Sequence, residues 1–542
     1  MFTKTRTAIV ASITVAVLAL TACTGGSTDD GNGSPGDDIT IGPFGGEQLA
    51  IGDPVRGGSF TYGLSFSVPT LDSAAAMGGS TEFALTAVYD NLMRVEPDGS
   101  VGPGIAEGIT TDDNLVWTLS LRDGVVFSDG EPFDADAVIA QIERVAAEDS
   151  ASLEAADARS IASVTALDAQ TVEFTLAAEN SQFPLLLAQG SMSMIASPKA
   201  VEELGADFAF TPVGAGPFVV DSFTPDGDIV LSRNDTYWDE ELPYLDAATL
   251  TPVLDEQSRI SGVLSGDLDA SSVASIPALQ SARDQGALGL EEPRYSGYLF
   301  QPNIENEHLS DIRVRQALSY AIDRDAINDV LFEGLHSPMD SYLVPSQPFY
   351  EAGLVPQYDP EQAVALIEEY KADTGVTEIS LELMVNQIQE SSDLGALLQQ
   401  QLGEVGIDLQ PTVMEPATQI SNIVAGTFDA MLMDRAFPAE TTQIFSQAFG
   451  ANFRNFGSGT NPDFDALIAQ AVAAPTDADR QAVIPEMLAV LSEWMPVVPI
   501  VSTGLGRVLG PDVAGFPDGD PNATSSEMFD LRKVWMAAEQ SS

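Results

Sequence analysis

The chain has 542 residues, of which 81 are Asp or Glu and 22 are Lys or Arg, so its formal net charge at pH 7 is -59. Nucleic-acid binding requires basic side chains that replace counterions, so this charge excludes a nucleic-acid partner and argues against docking on anionic lipid head groups. Single hydrophobic cores stop growing near about 250–300 residues, so the length predicts more than one core.

The N-terminus has the features of a secretion signal. Lys4 and Arg6 precede an almost wholly apolar run from residue 8 to residue 20. This run is short for a membrane-spanning helix but typical of a signal-peptide core. Cys23, the only cysteine, ends a segment of sequence LTAC that resembles a bacterial lipobox. We therefore expect residues 1–22 to be a signal peptide and Cys23 to carry the lipid that anchors the chain to the cell membrane.

A polar segment follows the cysteine. Residues 24–38 are only Gly, Ser, Thr, Asp, Asn and Pro, and such a segment cannot bury enough apolar surface to fold. We expect a flexible tether over 23–53. No later run is long and apolar enough for a membrane-spanning helix, so the sequence predicts a soluble body held to the extracellular face of the membrane by lipid alone.

The first half of the body mixes strands and helices. Residues 56–66 predict a strand beside the Gly57-Gly58 turn, and residues 135–147 predict a helix. Apolar and polar residues alternate over 116–121 and 172–176, which predicts two half-buried strands.

The second half is richer in helices. Helical spacing of apolar residues over 314–322 and the Asp359-Pro360 start each predict a helix. Thr476 predicts the cap of a late helix, and Pro485 predicts a break in it. We expect strands over 380–385 and 497–501, and a glycine-rich turn over 504–510. The fold class is therefore α/β with several domains.

Six segments of the chain form an ordered set of motifs. Residues 121–138 read LRDGVVFSDGEPFDADAV. The other five are PVGAGPF at 212–218, RNDTYW at 233–238, DIRVRQALSYAIDR at 311–324, NPDFDALI at 461–468 and PVVPI at 496–500. Together they resemble the extracellular solute-binding proteins of family 5, the dipeptide, oligopeptide and nickel receptors of ABC importers.

We expect most of these motif residues to hold the fold rather than the ligand. Gly214 and Gly216 predict a tight backbone turn. Arg233 lies beside a strand end, and Arg313 and Arg315 lie in the first turns of a helix.

The resemblance implies a two-lobed periplasmic-binding-protein-like fold of type II, with three structural domains and the ligand in the cleft between the lobes. Lobe closure about a hinge then traps the ligand and signals occupancy to the importer. The implied boundaries are 54–97 with 206–297 and 505–542 for domain I, 98–205 for domain II in the same lobe, and 298–504 for domain III, the second lobe.

In peptide receptors of the family, a late loop supplies an aspartate that binds the ligand ammonium group. The matching stretch here is 428–440, of sequence FDAMLMDRAFPAE. The family's tryptophan falls on Arg435 and its aspartate on Pro438. Asp434, Glu440 or Glu415 are the candidate substitutes. Arg435 pairs either with a ligand carboxylate or phosphate, or with an acid of the lobe.

The resemblance also implies ligand contacts by position. They lie in the loop after the first strand, near the crossing into the third domain and in the late loop. These candidates are Ser65, Phe66, Ser67, Tyr298, Asn303, Asp434, Arg435 and Phe437.

The implied function is the capture of a peptide or peptide-like solute for the permease subunits of an ABC importer, by a monomer without a cofactor. An opine, an oligosaccharide or a metal complex remains the alternative ligand. A secreted hydrolase is the least favoured alternative, because His308 and His336 are the only histidines and no nucleophile motif is present. These two histidines, 28 positions apart, do not form a metal-ligand cluster.

Overall fold

The structure of the protein is a computed structural model. The described residues are 39–41, 47–49, 53–75, 79–96, 100–150, 152, 154–345, 347–436, 441–450, 455–516 and 529–537. The predictions for Cys23, Phe437, Pro438 and Glu440 lie outside these residues.

The structure contains both helices and strands throughout its length. The helices are α1 (Gly79–Val88), α2 (Ala135–Ala146), α3 (Ala155–Arg159), α4 (Phe183–Leu186), α5 (Pro198–Leu204), α6 (Glu256–Ser265), α7 (Ile276–Asp284), α8 (Ile312–Ala321), α9 (Arg324–Leu331), α10 (Pro360–Thr374), α11 (Gln389–Glu404), α12 (Pro416–Ala425), α13 (Thr441–Phe449), α14 (Pro462–Val472), α15 (Asp477–Gln481) and α16 (Ile484–Trp494). The strands are β1 (Ile39–Ile41), β2 (Glu47–Leu49), β3 (Ser59–Leu64), β4 (Met93–Val95), β5 (Val101–Pro103), β6 (Ala106–Thr111), β7 (Val116–Leu121), β8 (Ile161–Asp168), β9 (Thr171–Leu176), β10 (Phe218–Phe223), β11 (Ile229–Arg233), β12 (Ala247–Pro252), β13 (Ala270–Val273), β14 (Leu288–Pro302), β15 (Ile379–Val385), β16 (Ile407–Val413), β17 (Ala430–Ala436), β18 (Val498–Leu509), β19 (Val513–Ala514) and β20 (Trp535–Met536).

Ten strands form one large mixed sheet in the order β10-β11-β12-β3-β13-β18-β14-β17-β15-β16. The strands β10, β11, β12, β3 and β13 belong to what we call the first lobe, and β17, β15 and β16 belong to the second lobe. The two long strands β14 and β18 pair with each other through both lobes. Their register is irregular between Pro293 and Ser296, so the ladder is interrupted where the chain crosses between the lobes.

A second, antiparallel sheet in the order β6-β7-β9-β8 stands apart from the large one, and we call it the small sheet. Trp117, Leu119 and Leu121 of β7 are buried, as the alternation predicted. Helix α2 packs nearby, and the Asp134 side chain caps it by accepting from the Ala137 amide. These predicted elements are confirmed to within a residue at their ends.

Separate apolar cores support these layers. One core unites Phe60 of β3 with Val534 near the C-terminus, and another lies beneath the small sheet around Trp117. Two further cores fill the second lobe, one around Phe300 and one around Phe464. The prediction of more than one core is confirmed.

The late helix signals are also confirmed. The Asp359 side chain accepts from the Gln362 amide at the start of α10. The Thr476 hydroxyl accepts from the Asp479 amide at 3.2 Å. The helix is interrupted after Gln481, the last residue of α15. Pro485 lies in the first turn of α16, where its missing N–H removes no intrahelical hydrogen bond.

Two elements differ from the sequence-based expectation. Within the predicted tether, β1 and β2 pair antiparallel, and the three β-branched residues of β1 suit a strand. Residues 504–509, expected to form a turn, continue β18 instead. Gly506 is needed there because a Cβ atom would lie 2.8 Å from the Leu279 side chain.

The pair Gly214 and Gly216 likewise serves close packing rather than a tight turn. Neither residue has a positive φ. A Cβ on Gly216 would lie 2.4 Å from the carbonyl carbon of Val88, so the glycines let two backbone segments approach closely.

Among the described residues, no helix combines the length and the apolar character that crossing a membrane requires.

Candidate functional site

The sheet register places the carboxyl ends of the parallel strands of both lobes face to face. In the first lobe, β13 ends at Val273. Val273 and Glu291 of β14 pair with the same residue of β18, so the carboxyl end of β13 lies level with Glu291. In the second lobe, β17 runs the opposite way and ends with Ala436 opposite Ser296. Strands β12 and β3 run parallel to β13, and β15 and β16 run parallel to β17. The cleft between these ends is where ligands bind in open α/β sheets.

A tyrosine and a glutamate meet at this cleft. Tyr298 of β14 is 6% exposed, and its hydroxyl donates to Glu390 Oε1 at 2.6 Å. Glu390 lies in the first turn of α11, just beyond the carboxyl end of β15. Burial, reinforced by the charges of Glu390 and Asp434, raises the pKa of Tyr298 well above its usual value, so the hydroxyl is a proton donor at every physiological pH.

A chain of hydroxyl groups continues to a second carboxylate. Asp434 of β17 is the direct cross-strand partner of Tyr298, so both side chains lie on one face of the sheet. The Thr503 hydroxyl donates to Asp434 Oδ1 at 2.9 Å. It lies 2.6 Å from the hydroxyl of Ser296, which is fully buried at the lobe crossing.

A third carboxylate acts from the opposite lobe. Glu256 begins α6 beyond the carboxyl end of β12, and its Oε2 accepts from the Ala274 amide at 2.8 Å. Burial raises the pKa of Glu390, the Tyr298 hydrogen bond opposes this shift, and the charges of Asp434 and Glu256 add to it. Both lobes therefore place negative charge around one partly buried carboxylate, and a cation there would relieve the mutual repulsion.

Apolar side chains flank these acids on both sides of the cleft. In the first lobe, Phe66 is 61% exposed two residues beyond β3, and Leu254 is 64% exposed two residues beyond β12. In the second lobe, Ile388 is 56% exposed just before α11, and Val413 is 55% exposed at the end of β16. Leu254 precedes Glu256 as Ile388 precedes Glu390, so each lobe offers an apolar residue next to an acid.

Arg435 occupies the other face of β17. Successive strand residues point to opposite faces, so Arg435 lies on the face opposite to Asp434. Its guanidinium carbon lies 5.4 Å from the centre of the Phe456 ring. Arg435 pairs with Gly297 in the sheet, one residue from the cleft end of the strand.

Some of the other predicted ligand contacts lie at the cleft, and one lies within the second lobe away from the cleft. Ser65 and Ser67 lie with Phe66 in the loop beyond β3, and exposed Glu415 lies two residues beyond β16. Asn303 is not brought to this group, because it follows the far end of β14. Its amide nitrogen donates to the Phe428 carbonyl at 2.9 Å, so the side chain holds a loop of the second lobe.

Sequence reasoning missed Glu390, Glu256 and Thr503. The position of the two glutamates in the chain could have identified them. Glu390 and Glu256 each lie in the first turn of a helix that follows a strand, so each lies at the carboxyl edge of the sheet. Thr503 was missed because the glycines around it suggested a turn.

His336 lies close to the site without contributing an opposite charge. Its ring packs edge-on to Phe332 with 4.6 Å between centres, and Phe332 stacks on Tyr298. Burial lowers the pKa of His336 to about 4, against the opposing influence of Asp434, so the imidazole is neutral near pH 7. Within the described ranges, no group of three or more His, Cys, Asp or Glu side chains is arranged to hold a metal ion.

A charged cluster in the first lobe is structural. A cavity of about 510 Å³ is lined by Asp90, Arg94 and Arg532, among others. Asp90 accepts from Tyr237 at 2.7 Å and from Arg94 at 2.9 Å. The nearby arginines and the hydrogen bonds hold the pKa of Asp90 below its usual value although burial opposes this, so the acid is already paired.

The motif arginines likewise hold the fold. Arg315 of α8 is 5% exposed and donates to the carbonyl groups of Met495 and Trp494. Arg324 donates to the Pro499 carbonyl at 2.9 Å. Both therefore tie helices of the second lobe to the segment that joins α16 to β18.

Comparison with known sequences agrees with this architecture. The profile of the bacterial extracellular solute-binding proteins, family 5, matches residues 100–456. The glutathione-binding protein GsiB of Salmonella paratyphi A is 31% identical over 358 residues, which are 65% of this chain and 69% of that protein. GsiB of Escherichia coli O1:K1 is 27% identical over 463 residues, covering 82% and 89% of the two chains.

Solved structures share the fold. A dipeptide-binding protein from Pseudoalteromonas sp. SM9913, in complex with Met-Leu, superposes with a TM-score of 0.77 at 20% identity, covering 88% of this chain and all of that one. The binding protein AgaA of A. tumefaciens R10, in complex with agropinic acid, gives a TM-score of 0.78 at 22% identity over 89% and 99% of the chains. The expected two-lobed type II fold is confirmed. The chain belongs to the bacterial extracellular solute-binding proteins of family 5 and is the solute-capturing component of an ABC importer.

Proposed function

We propose that the cleft captures a short peptide or peptide-like solute whose ammonium group binds between Glu390 and Asp434. The observation that carries this proposal is the hydrogen-bonded pair Tyr298–Glu390, with Asp434 as the cross-strand neighbour of the tyrosine. A protonated amine satisfies carboxylates through charge-assisted hydrogen bonds, which are about twice as strong as neutral ones. Glu390 and Asp434 thus take the place of the family's aspartate, whose position holds Pro438.

The exposed apolar residues define the rest of the ligand. Ile388 and Leu254 each lie two residues from an acid of the cleft, so a ligand that places its amine on Glu390 brings its first side chain beside them. Burial of apolar surface contributes roughly 25 cal/mol per Å², which favours ligands with an apolar side chain next to the amine. The GsiB relatives are named for glutathione, and the Pseudoalteromonas structure contains Met-Leu, so both compounds are suitable first ligands.

The test is a comparison of ligands that differ only at the amine. We expect Met-Leu to bind, measured by isothermal titration calorimetry and thermal shift, and N-acetyl-Met-Leu to bind at least about tenfold more weakly. Glutathione provides a second ligand with a free amine. Equal affinity for the free and the acetylated dipeptide would exclude Glu390 and Asp434 as an ammonium site.

Arg435 favours a second class of ligand. Its backbone lies one residue from the cleft end of β17, and a guanidinium is a planar fork of donors that suits a carboxylate. An acidic opine is therefore the alternative solute, and the fold of this chain is also that of AgaA, whose structure contains agropinic acid. Agropinic acid belongs in the same titration, and binding of it in preference to both peptides would support this alternative.

We also propose that the chain is divided as its separate cores suggest, with domain I over 54–97, 206–297 and 505–542, domain II over 98–205 and domain III over 298–504. The support is that residues from both ends of the chain share the core around Phe60, whereas the small sheet and the second lobe have cores of their own. Limited proteolysis should first cut between these ranges.

The proposed location is the outer face of the cell membrane, with lipid on Cys23 after removal of residues 1–22. The support is the sequence of the N-terminus together with the extracellular character of the family. We propose a monomeric receptor that delivers its ligand unchanged to the permease. Cys23→Ser should release the protein from the membrane fraction, and mass spectrometry of the eluted ligand should recover it intact.

A further inference from the structure

The small sheet contacts the second lobe through residues that are not part of the candidate ligand site. Asn114, in the turn between β6 and β7, donates through Nδ2 to the Ala474 carbonyl at 3.3 Å. The Ser181 amide donates to the Val472 carbonyl at 3.1 Å. The Gln182 side chain donates through Nε2 to the Thr442 hydroxyl at 2.8 Å. These three hydrogen bonds, which we call the closing contact, join segments 260 or more positions apart.

Two of the three partners on the second lobe are carbonyl groups at or just beyond the end of a helix. Val472 is the last residue of α14, and Ala474 lies two positions beyond it. The last carbonyl groups of a helix need partners from elsewhere. The small sheet supplies two such partners, Ser181 and Asn114, so the closing contact satisfies polar groups of the second lobe.

The small sheet presents its donors in a fixed geometry. Asn114 adopts a positive φ of 56° in a turn whose amides bond to the side chains of Thr111 and Asp113. The Asn114 carbonyl also accepts from the Asn180 amide at 2.8 Å, which ties the two donor loops together. Because these loops are ordered by bonds within the small sheet, forming the closing contact costs little further ordering.

The contact is polar and incompletely packed. A cavity of about 360 Å³ lies beside it, lined by Trp117 and Leu185 on the side of the small sheet and by Arg480 of the second lobe. The hydroxyl of Ser181 is buried without a hydrogen-bond partner in the same wall. A polar, incompletely packed contact of this kind resembles the transient interfaces across which domains move.

The closing contact is also connected to the ligand site through the chain. Thr442 lies in the first turn of α13, which follows the end of β17 by five residues, and β17 carries Asp434 and Arg435. Residues that precede and follow the small sheet in the sequence join it to the first lobe. One example is the hydrogen bond that the Leu92 amide donates to the Ser193 carbonyl. The closing contact therefore bridges the lobes in addition to β14 and β18.

From this geometry we propose that Asn114, Ser181 and Gln182 are positioning residues that hold the two lobes in the closed arrangement from outside the ligand cleft. These three residues raise the affinity of any solute that binds both lobes, although the solute does not touch them. The reason is that the observed affinity is the intrinsic affinity multiplied by the fraction of protein molecules in the closed form. The contribution is independent of which solute the cleft accepts.

The test uses the ligand-free full-length chain, so it does not depend on the proposed ligand. Native-state hydrogen exchange at the Ser181 amide reports opening of the closing contact directly, and small-angle X-ray scattering reports the separation of the lobes. We expect Gln182→Ala to accelerate Ser181 exchange by roughly two- to tenfold, which corresponds to the loss of one hydrogen bond, and to increase the radius of gyration. The matched control is Gln170→Ala, at the turn between β8 and β9.

A double-mutant cycle separates this role from general destabilisation. Thr442→Val removes the hydroxyl while conserving the volume of a buried side chain that is 2% exposed. If Gln182 and Thr442 act through their mutual bond, the double variant should exchange no faster at Ser181 than either single variant. Unchanged exchange and an unchanged radius of gyration in all three variants would overturn the proposal, as would equal acceleration in the Gln170→Ala control.

Discussion

The Tyr298 hydroxyl and the Glu390 carboxylate form a 2.6 Å hydrogen bond between residues 92 positions apart, at the level where the two lobes meet. The bond fixes a partly buried carboxylate beside Asp434, and Glu256 adds negative charge from the other lobe. Such an arrangement lowers the stability of the free protein and favours binding of a cation. Three predictions follow from this relationship and the strand that carries Asp434.

Glu390→Gln should stabilise the free protein and weaken ligand binding. A carboxyl whose pKa is raised by folding contributes stability below its unfolded pKa and loses that contribution as pH rises through the folded value, so at pH 7 Glu390 is unfavourable. We expect Tm to rise by about 1–2 °C at pH 7 and the affinity for Met-Leu to fall by at least about tenfold. Exposed Glu382, on β15, gives the control variant Glu382→Gln, which should leave both quantities unchanged.

Tyr298→Phe should move the pH dependence of binding. The tyrosine hydrogen bond stabilises the charged form of Glu390, so its removal raises the pKa of this carboxyl further. Binding of Met-Leu should therefore weaken at a higher pH in the variant than in the natural protein, when Kd is measured between pH 4 and pH 8. The control Tyr358→Phe changes an exposed tyrosine. Parallel pH profiles for all three proteins would show that Tyr298 does not tune the site.

Arg435→Gln should distinguish a carboxylate-binding arginine from a packing one. If the guanidinium binds a ligand carboxylate, affinity for glutathione should fall by roughly 10- to 100-fold, whereas affinity for an amidated peptide should change little. If Arg435 only packs on Phe456, both ligands should lose affinity equally. Calorimetry with the two ligands on the same protein preparation makes this comparison.

Gly216→Ala tests the close approach of two backbone segments. The added Cβ would lie 2.4 Å from the backbone of Val88, which cannot move without disturbing the end of α1. We expect the free energy of unfolding to fall by about 2–4 kcal/mol, measured by urea denaturation. Gly108→Ala is the matched control, since its Cβ meets nothing within 4 Å and its effect should stay within about 1 kcal/mol.

His336 should make the protein sensitive to mild acid. Its pKa in the folded chain is about 4, below the unfolded value near 6.5, so the unfolded chain binds the proton first as pH falls. Stability should therefore decline by on the order of 1–3 kcal/mol between pH 6.5 and pH 4 because of this residue. His336→Gln should show a shallower decline in Tm over this interval than the natural protein.

The sequence predicted local features better than the site. The alternation around Trp117 and the caps at Asp359 and Thr476 reflect interactions within a few residues, so they were correct. Gly506 was misinterpreted because the residue that favours a glycine at this position is distant in sequence. Its missing Cβ makes room for Leu279 of a neighbouring helix. Glu390 could not be found from its own surroundings, since its partner Tyr298 approaches only when distant strands pair.

The membership of the core around Phe60 has a consequence for how the protein is made. This core needs Leu509, Phe516, Leu531 and Val534, all near the end of the chain, to cover residues from its beginning. During synthesis the first lobe therefore stays incomplete until the residues up to Val534 have been added, whereas the small sheet can pack its own core much earlier. Pairing of such distant segments is slow. A truncation of some 35 residues at the C-terminus should thus unfold the part of the protein that is synthesised first.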